Sequence, residues 1–134
     1  HLKGMTKLSW LWLGMDLNVT DAGLVHLEGM SLYDLRIPSR ARTDLGLKHF
    51  IAATEPQARL NVSGWKITDA GLEHLKGLTK LEKLGLNRTK VTDAGLVHLK
   101  GLTKLQYVDL RSTKVTDAAV KKLQQALPNC KIKR

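Results

Sequence analysis

Four histidines, His26, His49, His74 and His98, recur at intervals near 24 residues, and five aspartates, Asp21, Asp44, Asp69, Asp93 and Asp117, recur with them. Imidazoles and carboxylates are zinc donors, and carboxylates also do general acid–base work. Geometry argues against both uses. Zinc holds its nitrogens at about 2.1 Å, whereas packed helices lie about 8–10 Å apart. Nor does any Cys or carboxylate share the histidines' helical register consistently. Each aspartate instead opens a short helix, where negative charge meets the positive end of the helix dipole. Ser9, Ser31, Ser39, Ser63 and Ser112 sit in no Gly-x-Ser-x-Gly elbow, and no Gly-rich loop of the P-loop or dinucleotide kind is present. Cys130 is the single cysteine, which excludes an internal disulfide framework and a Cys-based zinc site, and it reads as a small core filler. These residues predict no catalytic group, no metal and no cofactor.

The elements that carry them are repeated. Leu78-Thr79-Lys80-Leu81 returns as Leu102-Thr103-Lys104-Leu105, and Val91-Thr92-Asp93-Ala94-Gly95-Leu96 matches segments starting at Ile67, Val115 and Val19. The remaining copy, Thr43-Asp44-Leu45-Gly46-Leu47, is displaced by one residue. Within a copy, Leu81, Leu84 and Leu86 end in an alternating pattern that predicts a short strand. Thr92 then N-caps a short helix with Leu96 and Leu99 on one face, and Gly101 stops it as a C′ residue; Gly29 and Gly77 repeat the stop. Phe50–Pro56 lacks the glycine and predicts a longer helix before Pro56, a tolerated insertion. A strand and helix this small cannot bury an apolar face alone, so the copies must stack.

This pattern resembles the leucine-rich repeat family over essentially the whole chain, in the cysteine-containing-like subtype of F-box-associated domains and bacterial proteins. The resemblance implies an α/β fold: a right-handed solenoid of about five 24-residue repeats, with a parallel sheet on the concave face and short helices on the convex face. The repeats run roughly over 5–29, 30–53, 54–77, 78–101 and 102–126, followed by a closing segment 127–134 that looks like that of bacterial members. Thr89 and Thr113 occupy the position where that subtype often has Cys or Asn. Arg40 and Trp65 depart from it, which predicts an irregular internal hydrogen-bonded ladder. His1-Leu2-Lys3-Gly4 aligns with His98-Leu99-Lys100-Gly101, so the sequence begins inside an expected helix and reads as a single domain from the C-terminal part of a longer chain.

If the strand leucines point inward, the residues between them line the open sheet face. Its expected residues are Trp10, Trp12, Asp34, Arg36, Arg59, Asn61, Lys83, Asn87, Tyr107, Asp109 and Arg111, with Gly14, Pro38, Ser63 and Gly85 among them. Trp, Tyr and Arg favour interfaces, which predicts non-catalytic recognition of a protein or peptide. A solvated sheet face is the plainer reading.

Composition limits the alternatives. Of 134 residues, 43% are apolar and only 4% aromatic, so the core is aliphatic. No apolar run approaches the roughly 20 residues of a membrane span, and no segment has the regions of a signal peptide. The net charge is +10, of which residues 68–134, with fourteen basic and six acidic side chains, supply +8. Lysines fall in columns: Lys66, Lys90 and Lys114; Lys80 and Lys104; Lys76 and Lys100. A polyanion, nucleic acid or acidic polysaccharide, is therefore the second expected partner, and a structural spacer the third reading. A monomer or a weak edge-paired dimer is expected, and the lone cysteine fits a reducing compartment.

Overall fold

In a computed structural model of the chain, the described residues are 4–5, 7–15, 17–56 and 58–134. The expected helical start at His1-Leu2-Lys3 lies outside them. The protein divides into two compact units, His1–Glu55 and Pro56–Arg134. The division falls where the 24-residue spacing is interrupted.

In the first unit, β1 (Trp10–Trp12) pairs parallel with β2 (Asp34–Arg36). A 3-10 helix, Ala22–Leu27, connects them, and α1 (Asp44–Thr54) follows β2. The second unit is a four-stranded parallel sheet in sequential order: β3 (Arg59–Asn61), β4 (Lys83–Gly85), β5 (Tyr107–Asp109) and β6 (Lys131–Lys133). Its connections are α2 (Asp69–Leu72), continued as a 3-10 turn Glu73–Leu75, then a 3-10 helix Asp93–Leu99, then α3 (Asp117–Ala126). Partners are Trp10↔Asp34, Arg59↔Lys83, Lys83↔Tyr107 and Tyr107↔Lys131, so the sequence period is the pairing register. The segment read as closing contributes β6, a full rung of the sheet. Among the described residues, no helix is long and apolar enough to cross a membrane.

Most of the short helices are 3-10, for a reason visible in their leucines. Leu24 and Leu27, and Leu96 and Leu99, are buried pairs three apart within 3-10 helices, and Leu72 and Leu75, at the same spacing, end α2 and the 3-10 turn that follows it. Three residues per turn superimposes such pairs on one face. In α3, Leu123 has a buried partner four residues on, the C-cap residue Leu127, whose N–H donates to the Leu123 carbonyl. Aliphatic residues in and just after the strands complete the core: Leu84, Leu86, Val108 and Leu110 are fully buried. Truncating one of these to Ala typically costs about 2–5 kcal/mol. In the first unit, Leu8, Leu11 and Leu13 are only half-buried.

Within the second unit a carboxylate joins one corner to the next. Thr92 donates its N–H to Asp69 Oδ1 (2.8 Å) and its hydroxyl to Asp69 Oδ2 (2.6 Å). Thr116 does the same to Asp93, at 2.7 Å for both bonds. Beside them, Lys90 N–H donates to the Ile67 carbonyl and Lys114 N–H to that of Val91. Arg134 repeats both contacts with one guanidinium, donating Nε to the Val115 carbonyl and Nη1 to Asp117. In the first unit the Thr43 hydroxyl donates to Asp21 (2.6 Å). The aspartates read as helix-dipole partners are thus mainly acceptors for the following turn of chain.

Several local readings change. Gly29 is left-handed (φ 77°), but Gly77 and Gly101 are not, because the preceding Lys76 and Lys100 remain helical and the chain turns without a left-handed step. The left-handed column sits after the strands, at Gly64, Arg88 and Ser112. Arg40 points to solvent and donates to Asn18, while Ala41 takes the interior position with no exposure. Trp65 is buried, and the Thr89 and Thr113 hydroxyls close on the Leu86 and Leu110 carbonyls. The longer helix before Pro56 is α1, ended by left-handed Glu55.

A Cβ on Gly95 would run into Asp69 Oδ1 and touch Leu72 at 3.0 Å, whereas on Gly23 it would meet only Thr20 Oγ1 at 3.7 Å. The same letter therefore predicts opposite signs. Gly95→Ala should destabilise by about 1–3 kcal/mol, and Gly23→Ala should be neutral or stabilise by up to about 1 kcal/mol, in urea denaturation.

Thr43's hydroxyl holds the Asp21 carboxyl below its ordinary pKa, and the N–H and hydroxyl of Thr116 do so for Asp93. Unfolded aspartates titrate near pH 3.9, so the stabilisation is complete above that value. It is lost as pH falls from there through the lowered folded values. Urea midpoints measured below about pH 5 should drop less steeply in Asp93→Asn than in wild type.

Candidate functional site

Each unit has outward strand residues of its own. In the first unit, Trp10 and Trp12 stand 70% and 71% exposed, two residues apart on one side of β1. Alternation explains this: Leu11, between them, turns toward the core side. Their β2 neighbours are Asp34 and Arg36, joined by an exposed ion pair at 3.5 Å. These four side chains and Leu11 line a shallow hollow. Tyr33, beside Asp34 in the chain, is 93% exposed. Gly14 is half-buried and Pro38 buried, so neither adds side-chain surface.

In the second unit the first outward row is Arg59, Lys83, Tyr107 and Lys131, and the second is Asn61, Gly85, Asp109 and Lys133. Lys131 and Lys133 belong to these rows as much as the predicted residues do. The 24-residue step from Tyr107 and Asp109 was the signal for them, obscured because the tail lacks the Leu-x-x-Leu start. Ser63 N–H and hydroxyl both approach Asn61 Oδ1 (3.1 and 2.6 Å), and the hydroxyl also contacts the Asn87 side chain. A Cβ at Gly85 would press on Asn61 and Ser63, so glycine there keeps a hollow open between the rows.

Asp109 differs from the expectation of a partner-facing carboxylate. It is 6% exposed and accepts both arms of the Arg111 guanidinium, at 2.9 and 2.6 Å, plus the Arg111 N–H. That fork holds its carboxyl below the usual range and raises the Arg111 pKa. Asp109 therefore orients Arg111, whose side chain remains in solvent. Lys133 lies over the Tyr107 ring at 5.9 Å, a cation–π contact that steadies it.

The groups capable of chemistry are dispersed. His26 is exposed, His74 and His98 are half-buried, and His49 is buried with Nδ1 2.6 Å from Glu28 Oε1. Among the described residues, no three His, Cys, Asp or Glu are grouped to hold a metal. Cys130 is buried, and burial pushes its thiol pKa up, away from the reactive thiolate.

The two Asp–Arg pairs should separate on mutation. Asp109→Ala should cost about 1–2 kcal/mol, discounted because Arg111 stays in water, whereas Asp34→Ala should cost under about 1 kcal/mol. Thermal unfolding of the two variants measures the difference.

No curated protein matches the chain at significance. Residues 101–123, which run through β5 into α3, match the family model described as Leucine Rich repeat, and this stretch is accordingly similar to one unit of that family.

Proposed function

We propose that the protein is a non-catalytic binding module that recognises a protein partner through the outward faces of its strands. One observation carries the reading: Trp10 and Trp12 stand side by side, each more than two-thirds exposed, on a strand whose other side chain turns inward. Neighbouring exposed indoles cost solubility unless something covers them, and Trp is enriched among interface hot spots. Asp34 and Arg36 at their rim supply polar contacts that fix orientation. Leucine-rich repeat domains in general act as protein-binding modules, in keeping with the match over residues 101–123. Asn61, Lys83, Asn87, Tyr107 and Arg111 belong to the second face in the same reading.

A photoreactive residue in place of the exposed Tyr33, followed by mass spectrometry, identifies the neighbour of this face in the producing cell. Titration of the purified partner should then give saturable binding that weakens about tenfold or more in the Trp10→Ala/Trp12→Ala variant with circular dichroism unchanged. Unaltered affinity would overturn the proposal, and no saturable binding would leave the spacer reading. An affinity that collapses by orders of magnitude between about 50 and 200 mM salt would point to a polyanion instead.

A further inference from the structure

The outward face of the β3–β6 sheet is unevenly charged. It carries five cations, Arg59, Lys83, Arg111, Lys131 and Lys133, against one carboxylate, Asp109, a net of +4. Asp109 is already held by Arg111. Among the described residues, Arg59, Lys83 and Lys131 make no ion pair, and all three are exposed. The lysine column at the corners is different. Lys66, Lys90 and Lys114 are each followed three residues later by Asp69, Asp93 and Asp117, so positive charge there is matched nearby.

We infer that this sheet face docks an extended acidic segment of a protein partner, whose carboxylates meet Arg59, Lys83 and Lys131; the inference rests on reading the sheet faces as recognition surfaces. Strands lie about 4.8 Å apart, so the row from β3 to β6 spans about 14 Å. Same-face side chains of an extended peptide recur about every 6.7 Å, and three of them cover that distance. The outer two fall near Arg59 and Lys131. The middle one falls between Lys83 and Tyr107, over the hollow of about 230 Å³ beside Gly85. A single-stranded nucleic acid would need several aromatic platforms for its bases. This face offers one ring, Tyr107, already beneath Lys133.

The test uses fluorescence anisotropy on the full chain with three labelled probes: a peptide of about ten residues alternating Glu with Ser, long enough to cross the four strands, its Gln counterpart, and an oligothymidylate of equal charge. The Glu peptide should bind saturably and at least about tenfold more tightly than the other two. Lys83→Glu/Lys131→Glu should weaken it by about tenfold or more, while Lys66→Glu/Lys90→Glu/Lys114→Glu should change it by less than about threefold. Equal binding of the Gln peptide, equal loss in the corner variant, or absence of saturable binding would overturn the inference. Tighter binding of oligothymidylate would overturn it in favour of nucleic acid. All these substitutions are at exposed positions, and unchanged thermal midpoints verify folding. Failure here leaves the Trp10 and Trp12 result standing, because that experiment reads the β1–β2 face with a different ligand.

Discussion

A carboxylate that reaches forward one turn of the chain sets the terms for the second unit. Asp69 and Asp93 each accept two bonds from the threonine 23 residues later, one from the backbone and one from the hydroxyl. The corner of each pass is thereby fixed to the corner before it. The strands arrive in register with partners 24 residues apart, and their leucines fall into a common core. Hydrophobic burial supplies most of the stabilisation but has no direction. These bonds supply direction, together with the backbone ladder between the strands.

That division of labour frees the outward faces. Since the interior residues and the corner bonds hold the sheet, most side chains between the leucines stay exposed, Asp109 being the buried exception. They differ sharply between units: two indoles with an Asp–Arg pair in the first, and a row of cations with a half-buried tyrosine in the second. The Asp109–Arg111 fork shows that even an outward residue can be recruited as support, positioning a guanidinium that itself remains in water.

Much of this was legible in the sequence because a period in a chain translates directly into a pairing register. The strand positions, the inward leucines and the long helix before Pro56 follow from spacing alone. The corner bonds were not legible, because Asp93 looks like an ordinary helix-start residue until the next pass of chain is placed beside it. Arg40 was misassigned for a related reason: the displaced copy shifts the interior position by one, to Ala41. Nothing local marks Asp109 as buried, since an aspartate in an outward register reads as solvated. Lys131 and Lys133 were missed because the tail repeats the period without repeating the leucines. The candidate faces were traceable residue by residue, whereas their electrostatic state depended on how tightly near neighbours pair, a buried Asp109 with Arg111 and an exposed Asp34 with Arg36, which spacing does not tell.

The left-handed turn that follows three of the four strands of the second unit, at Gly64, Arg88 and Ser112, has a wider consequence. All three residues are exposed. A backbone bent that way throws its side chain clear of the layer beneath, so whatever stands there is visible to a visitor and irrelevant to the interior. Each of these three turns thus offers one position beside the outward sheet face where residue type can drift while the scaffold goes untouched.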